Sequence, residues 1–489
     1  MASVNKDTAL AEMEALQTRP STSEKRDQTK AAEVEYTEKT EAQPVPPAWV
    51  EGTPEEKKLV RKIDFWLMPS IWILYLFSYM DRSNIGNARI AGMERDLDLS
   101  DNEYFLTIIS FFVAYVVFEV PSNMILARSR PSLYISFIVV LWGTVAGLMA
   151  LVQTPLQLIM VRFVLGIAEA GFSPAVLYII SAWYRKAEQS KRYLCYLSAG
   201  ILSGAFGGIV AGAIAASLDG AHGIAGWRWL FLVEGVTTVG VGLMAPFCLM
   251  DYPSNCKKLT PEERKLACDR LAADNISFTD GENHMSHWET LTGCLRSWRV
   301  WLLAIAYLGV LGPFSFSYFF PMLVRGLGYT AVNAQFMTAP IYFVAFVVAM
   351  PVCWWVDRHT HIRGIAVCII LSAGALFAAL AAGILDYTSR YVFLCFITAS
   401  VWTAAPVALG FAADMLSNAD PNVRAVSMAF INTIGNSGQL YGAALFPSSD
   451  GPRYLTGFVT WAALIAFAAG LYCCAFFAFR RWPVKGRTV

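Results

Sequence analysis

Apolar runs long enough to cross a bilayer recur along almost the whole chain, and no other feature limits its fold as strongly. A helix needs roughly 20 mostly apolar residues to span the hydrocarbon core. Twelve such spans are expected, near residues 63–90, 104–127, 131–152, 156–182, 193–217, 228–250, 299–324, 332–356, 363–385, 389–415, 424–446 and 454–480. Composition agrees: the 489 residues are 56% apolar and only 15% charged, with a mean hydropathy of +0.46. Soluble domains carry about 25% charged residues. The expected fold class is an all-α membrane protein of 12 transmembrane helices, with the bilayer as its main partner.

The polar segments divide the chain. Residues 1–52 are rich in Glu, Lys, Thr and Ser and form a tail that cannot bury a core. The tail has no apolar h-region, so it does not read as a signal peptide. Residues 53–250 and 299–480 each hold six spans, 251–298 form a polar central loop, and 481–489 a short tail. Two correspondences suggest a repeat. "TPEEKKLV" at Thr53 and "TPEERKLA" at Thr260 are both capping-box helix starts. The short connectors "LARSRPS" and "WWVDRHTHIRG" are both basic. Two such halves fit the parallel-repeat plan of major facilitator transporters. Lys and Arg are concentrated in the connectors on the side of the termini, which places both termini in the cytosol. The sequon at Asn275 then stays unglycosylated.

One stretch decides whether charge enters the membrane. "LFSYMDRSNIGN" joins the apolar run Phe65–Met80 to Asp81 and Arg82. At 1.5 Å per residue that run covers about 24 Å, short of the roughly 30 Å core. The helix is therefore expected to continue through Asp81, Arg82 and Ser83. Ionisable residues at membrane depth are costly and mark functional sites by default. The structural alternative is an interfacial ion pair.

A second site stands in span four. Arg162 and Glu169 in "RFVLGIAEAGFSPA" lie two helical turns apart on one face, with Gly166 between them leaving room for a ligand or another helix. A guanidinium binds a carboxylate through two parallel bonds and stays charged at any working pH. A carboxyl group can carry a proton. Together they suit a proton–anion symporter, or else a salt bridge locking spans one and four. Other polar groups give weaker signals. Glu119, near the cytosolic end of span two, can brace an inner gate by pairing with an Arg. Asn432, Asn436 and Gln439 form a stripe along span eleven that either binds substrate or joins helices. Ser315, Ser317 and Tyr318 lie in a proline-flanked part of span seven. Gly200, Gly204, Gly208 and Gly212 form a packing ladder on span five.

Several classes are excluded or unsupported. The net charge of +1 gives no bulk attraction to nucleic acid, and no GxxxxGK[ST] is present. The ten cysteines lack CxxC spacing and read as packing residues. His284 and His287 share HxxH spacing in a polar loop without further ligands. No metal, cofactor or catalytic constellation is expected, so the chain is not read as an enzyme.

"YMDRSNIGNA", "FEVPSN", "RFVLGIAEAGFSPA", "GWRWLFLVEG" and "GPRYLTGF" together resemble the anion:cation symporter family of the major facilitator superfamily, in its fungal allantoate and vitamin permease branch. The resemblance covers about residues 55–480. It implies two six-helix bundles, alternating access and proton-coupled movement of a small organic anion such as nicotinate, pantothenate, biotin or allantoate. It assigns proton coupling to Asp81 and Glu169, anion contact and gating to Arg82 and Arg162, and a cavity-lining place to Tyr79. Asp357, Arg358 and Arg363, with Arg128 in the first-half loop, are implied as inner-gate charges. The branch suggests a monomeric plasma-membrane importer. Ala205 replaces the span-five proline that many antiporters carry, which favours uptake. An exporter of a fungal secondary metabolite and a non-transporting nutrient sensor are the other readings.

Overall fold

The computed structural model describes residues 51–127, 129–273, 287–417, 421–442, 445–451 and 453–482. The described helices belong to the unit Pro54–Val489 and account for its regular structure. The first six spans are α1 (Pro54–Ala88), α2 (Asp101–Ala127), α3 (Pro131–Leu148), α4 with α5 (Pro155–Glu169, Phe172–Trp183), α6 (Lys186–Ser217) and α7 (Gly226–Cys248). Two helices follow in the central segment, α8 (Pro261–Ala273) and α9 (His287–Arg296). The second six spans begin with α10 (Trp298–Leu311), a 3-10 stretch Gly312–Tyr318 and α11 (Phe320–Gly326). They continue with α12 and α13 (Ala331–Phe336, Thr338–Arg358), α14 (Arg363–Gly383), α15 (Tyr387–Met415), α16 (Pro421–Gly442) and α17 (Leu455–Arg481).

Local sequence explains the boundaries. Thr154 caps α4 by accepting from Gln157 N, with Pro155 at the first helical position. Asp386 caps α15 in the same way, accepting from Ser389 N at 2.8 Å. The helix α1 starts nine residues before the expected span, because Leu59, Ile63 and Leu67 continue its buried stripe. The helix α6 likewise begins early, and its polar first turns are held by Arg192 on Asp64, with both bonds at 2.8 Å.

One expectation needs correction, the equivalence of the two capped starts, and two others gain detail. Among the described residues, eleven helices are long and apolar enough by composition to span a bilayer. The eleventh expected span forms α16, but Asn422, Arg424, Asn432, Asn436 and Gln439 make it too polar to qualify by composition. The capped starts at Thr53 and Thr260 are not equivalent. The first opens directly into α1. The second does form its capping box (Thr260 N to Glu263 Oε2, 3.0 Å; Glu263 N to Thr260 Oγ1, 3.2 Å), yet it begins the separate 13-residue helix α8. That helix docks on the first half through Lys62–Glu263 at 2.6 Å and Arg270–Glu188 at 2.8 Å. Of the two uses expected for Gly166, the structure shows the approach of another helix: a Cβ there would run into the Phe111 carbonyl, so α4 packs directly on α2. Asn275, His284 and Arg128 lie outside the described residues.

The halves meet along α6 and α12–α13, where the glycine ladder does its work. A Cβ on Gly204 would sit 2.3 Å from the Tyr342 ring, and one on Gly208 2.7 Å from the Gln335 carbonyl. Small residues let membrane helices approach this closely. Gly208→Val is therefore expected to destabilise by about 1–3 kcal/mol through overpacking and to reduce transport, read as a lower melting temperature of the purified protein and slower uptake. At the end of α1 away from Pro54 the halves also join. Tyr104 OH donates to the Tyr318 carbonyl at 3.0 Å, Gln335 Nε2 donates to the Asn87 carbonyl at 3.2 Å, and Gly86 lies against the Tyr318 backbone.

Candidate functional site

Helix α1 runs unbroken through Met80, Asp81, Arg82 and Ser83 to Ala88, as its short apolar run requires. Asp81 and Arg82 are 2% and 8% exposed, so neither is an interfacial residue. Helix α4 presents one buried stripe, Leu158, Arg162, Leu165, Gly166 and Glu169, toward α1 and α2. Its two charges are carried inward because the stripe's other members are apolar.

These four ionisable residues gather, but not in the expected pairs. Arg82 Nε donates to Glu169 Oε1 at 2.7 Å, and Ser78 Oγ also donates to that oxygen. Among the described residues, the second carboxyl oxygen of Glu169 and Arg82 Nη2 have no hydrogen-bond partner. The salt bridge between spans one and four thus exists, and it uses Arg82 rather than Arg162. Asp81 forms no ion pair with either arginine among the described residues: Trp142 Nε1 and Thr238 Oγ1 each donate to its Oδ2 at 3.1 Å. Arg162 is buried with one hydrogen bond, Nη1 to the Arg82 carbonyl at 3.5 Å. Its Nε and Nη2 have no partner, and among the described residues no carboxylate lies within ion-pair distance of it.

Aromatic side chains from both halves surround this cluster. The Arg82 guanidinium lies 4.6 Å from the Tyr115 ring centroid and 5.4 Å from those of Tyr79 and Phe111. Tyr79 is partly exposed and contacts Trp402 of α15 with ring centroids 5.7 Å apart. Tyr318, from the second half, packs on Phe112 at 6.0 Å and lies within electrostatic reach of Arg82 and Arg162. So the expected residues Tyr79 and Tyr318 join Arg82, Arg162 and Glu169.

The remaining expected residues sit elsewhere. Gln439 Nε2 donates to Asn436 Oδ1 at 3.2 Å, while Asn432 stands one turn away on α16; no recorded hydrogen bond joins them to the charged cluster. Ser315 is buried and donates to the Gly312 carbonyl at 2.9 Å, tying up the 3-10 turn. Glu119 is half-buried and feels the Arg82 charge at longer range, but no ion pair to it is recorded among the described residues. Arg363 Nη2 donates to Asp357 at 2.7 Å, and its Nη1 to both oxygens of Asp414 at 2.9 Å. Asp414, absent from the sequence reading, thus completes a cluster within the second half. Arg358 lies outside that cluster, over the Trp354 ring at 3.7 Å. Glu234 was also missed. It is an acid in the middle of the apolar run of α7, 3% exposed, and its cost in a membrane is the signal that could have found it.

A multi-pass helical membrane protein with charges gathered between two six-helix sets is built to carry a small solute. The model of the Major Facilitator Superfamily matches residues 71–443, and the chain belongs to that superfamily. "MFS transporter prlL" from Fungal sp. (strain NRRL 50135) is 35% identical over 427 residues, 84% of each chain. A "Putative tartrate transporter" from Agrobacterium vitis is 32% identical over 397 residues, 80% of this chain and 84% of that one. The fold resembles a bacterial homolog to the human lysosomal transporter Spinster in an inward-facing, unoccupied conformation (TM-score 0.61, 16% identity, 89% of this chain and 100% of that one). It equally resembles the E. coli xylose transporter XylE in a partially occluded inward-open conformation (TM-score 0.61, 13% identity, 86% and 99%). The protein is an integral membrane transporter of small molecules, not an enzyme.

Proposed function

We propose that the protein couples protons to the uptake of a small organic anion by alternating access, as a plasma-membrane importer with both termini in the cytosol. The observation that carries this reading is the unpaired Arg162. A buried guanidinium with two unused nitrogen donors and, among the described residues, no carboxylate within ion-pair distance is costly unless an anion visits it. A substrate carboxylate fits that fork. The likeness to a protein named a putative tartrate transporter supports an anionic substrate.

Proton coupling follows from competition for Arg82. While Glu169 is ionised it occupies Arg82, as the 2.7 Å bond records. A proton on Glu169 neutralises it and frees that guanidinium, so a substrate carboxylate can engage Arg82 and Arg162 together. Loss of the proton restores the internal pair and expels the anion. Substrate and proton then load and leave together, which is symport. Tyr79 and Tyr318, one from each half, wall the site. Asn432, Asn436 and Gln439 offer hydrogen bonds from the second half. Glu119, Arg128, Asp357, Arg358 and Arg363 serve the inner gate.

The test uses proteoliposomes and a panel of labelled carboxylates: tartrate, nicotinate, pantothenate, biotin and allantoate. Acidifying the outside should raise uptake of at least one, and a protonophore should collapse it. Uptake indifferent to both manipulations for every anion that moves would overturn the proton coupling. Accumulation driven only by an acidic interior would make the protein an exporter.

A further inference from the structure

Glu234 has no task in the proposed transport scheme, yet its surroundings are built as carefully as those of Glu169. Among the described residues, neither of its carboxyl oxygens has a hydrogen-bond partner. Helix α7 lies against α3 without side-chain spacers. A Cβ on Gly235 would meet the Gly147 backbone at 2.5 Å, and one on Gly143 would meet Thr238 at 2.9 Å. That backbone-to-backbone fit fixes α7 against α3. Thr238 stands one turn beyond Glu234 on α7 and donates to Asp81 Oδ2, beside Trp142. Glu234 and Asp81, both buried, interact electrostatically.

No cation answers Glu234 from the elements packed around it. On α1 the charged neighbours are Asp81 and Arg82, and Arg82 is engaged by Glu169. On α4, Glu169 and Arg162 both reach Asp81 electrostatically, with opposite charge. Arg89, in the turn after α1, is held by Glu94 at 2.7 Å and Asp101 at 2.6 Å. Helix α3 carries no charged residue. On α6 the charged residues are Lys186, Glu188, Lys191 and Arg192 in its first two turns, with Arg192 on Asp64. Arg228, on α7 itself, donates to the carbonyls of Ala150 and Val152.

An ionised carboxylate needs donors, and Glu234 has none. A neutral carboxylic acid supplies its own donor and needs one acceptor. Asp81, already held by two donors, is the nearby anion. We propose that Glu234 is a proton-storage residue paired with Asp81, so that the two carboxyl groups hold one proton between them and take up a second through Asp81. In the internal exchange the O–H bond on Glu234 breaks as one forms on Asp81, and the pair carries one negative charge before and after. The second proton neutralises the pair. Its consequence for transport rests on the proton-coupling reading; the site itself does not.

Infrared difference spectroscopy of the full-length protein in lipid nanodiscs, stepped from mildly acidic to alkaline pH, reads the site without any substrate. The wild type should show the C=O stretch of a buried protonated carboxyl that shifts in D2O. E234Q should lose that band, and E234D should retain it at a displaced frequency. D81N should keep the band but move the pH at which it vanishes. A band of full intensity in E234Q overturns the proposal, as does an unmoved titration in D81N. If E234Q fails to fold, E234D carries the test, and an undisplaced band there has the same force. Uptake separates this inference from the reading beneath it. E234Q should lower the proton-to-substrate ratio by one, a loss of about tenfold in accumulation per unit of pH difference. Proton-driven uptake with an unchanged ratio in E234Q sinks the storage role and leaves the coupling scheme standing. The expected band in a protein whose uptake ignores pH supports the site and sinks the coupling scheme.

Discussion

Glu169→Gln is expected to abolish accumulation of substrate against a gradient while leaving exchange of substrate across the membrane intact. Glutamine matches the protonated acid in shape and charge, so it fixes the site in the state that admits the anion. Arg82 loses the carboxylate now 2.7 Å away, and nothing among its described neighbours replaces that charge. The incoming carboxylate therefore finds two free guanidinium groups, and the apparent affinity in exchange should hold or improve. Release without substrate on the other side should slow, because no internal anion displaces the ligand. With a one-unit pH difference, each coupled proton is worth about 1.4 kcal/mol, a tenfold accumulation; the variant should equilibrate and go no further. Removing one partner of a buried pair costs about 3–5 kcal/mol, so the purified variant should also melt lower. Saturating substrate should recover part of that loss, because it supplies the missing anion. Counterflow and net uptake in the same proteoliposomes decide the matter, and concentrative uptake by the variant would remove Glu169 from the coupling path.

The sequence made the helices legible because apolar length is a one-dimensional property. The same arithmetic carried Asp81 and Arg82 into the membrane, and α1 does continue through them. Helical periodicity likewise placed Arg162 and Glu169 on one buried stripe. What periodicity could not supply was the pairing between stripes. Whether Arg82 or Arg162 reaches Glu169 depends on how α1 and α4 are set against each other. That setting is fixed by contacts such as Gly166 on the Phe111 carbonyl, distant in sequence. The repeated capping box misled for a related reason. A cap specifies where a helix begins, not which bundle the helix joins, and α8 joins the half before it. Asp414 lies 51 residues from the Arg363 that it holds, beyond any local pattern. Glu234, by contrast, was within reach, as a lone acid inside "GWRWLFLVEG".

Arg162→Lys separates charge from geometry at the residue on which the functional reading rests. Lysine keeps one positive charge but replaces a planar fork by a flexible point charge. If Arg162 holds the substrate carboxylate through two parallel bonds, the lysine variant keeps one of them. A hydrogen bond to a charged group is worth about 1.5–3 kcal/mol, so the apparent affinity for the transported anion should fall roughly 10- to 100-fold. The maximal rate at saturation should change far less, because coupling resides on Glu169 and not on the fork. Arg162→Ala goes further and removes the charge, and uptake should fall below detection. It should not unfold the protein. Arg162 makes a single long hydrogen bond, 3.5 Å to the Arg82 carbonyl, and no recorded ion pair. Its guanidinium is a desolvated charge without a partner, so its loss should be neutral to stabilising in the absence of substrate. This combination distinguishes a binding cation from a structural one. A structural arginine would lower the melting temperature when removed and leave affinity alone. Melting curves without substrate, beside concentration series of uptake for both variants, measure the two effects separately. A destabilised alanine variant, together with a lysine variant of unchanged affinity, would overturn the anion-binding role.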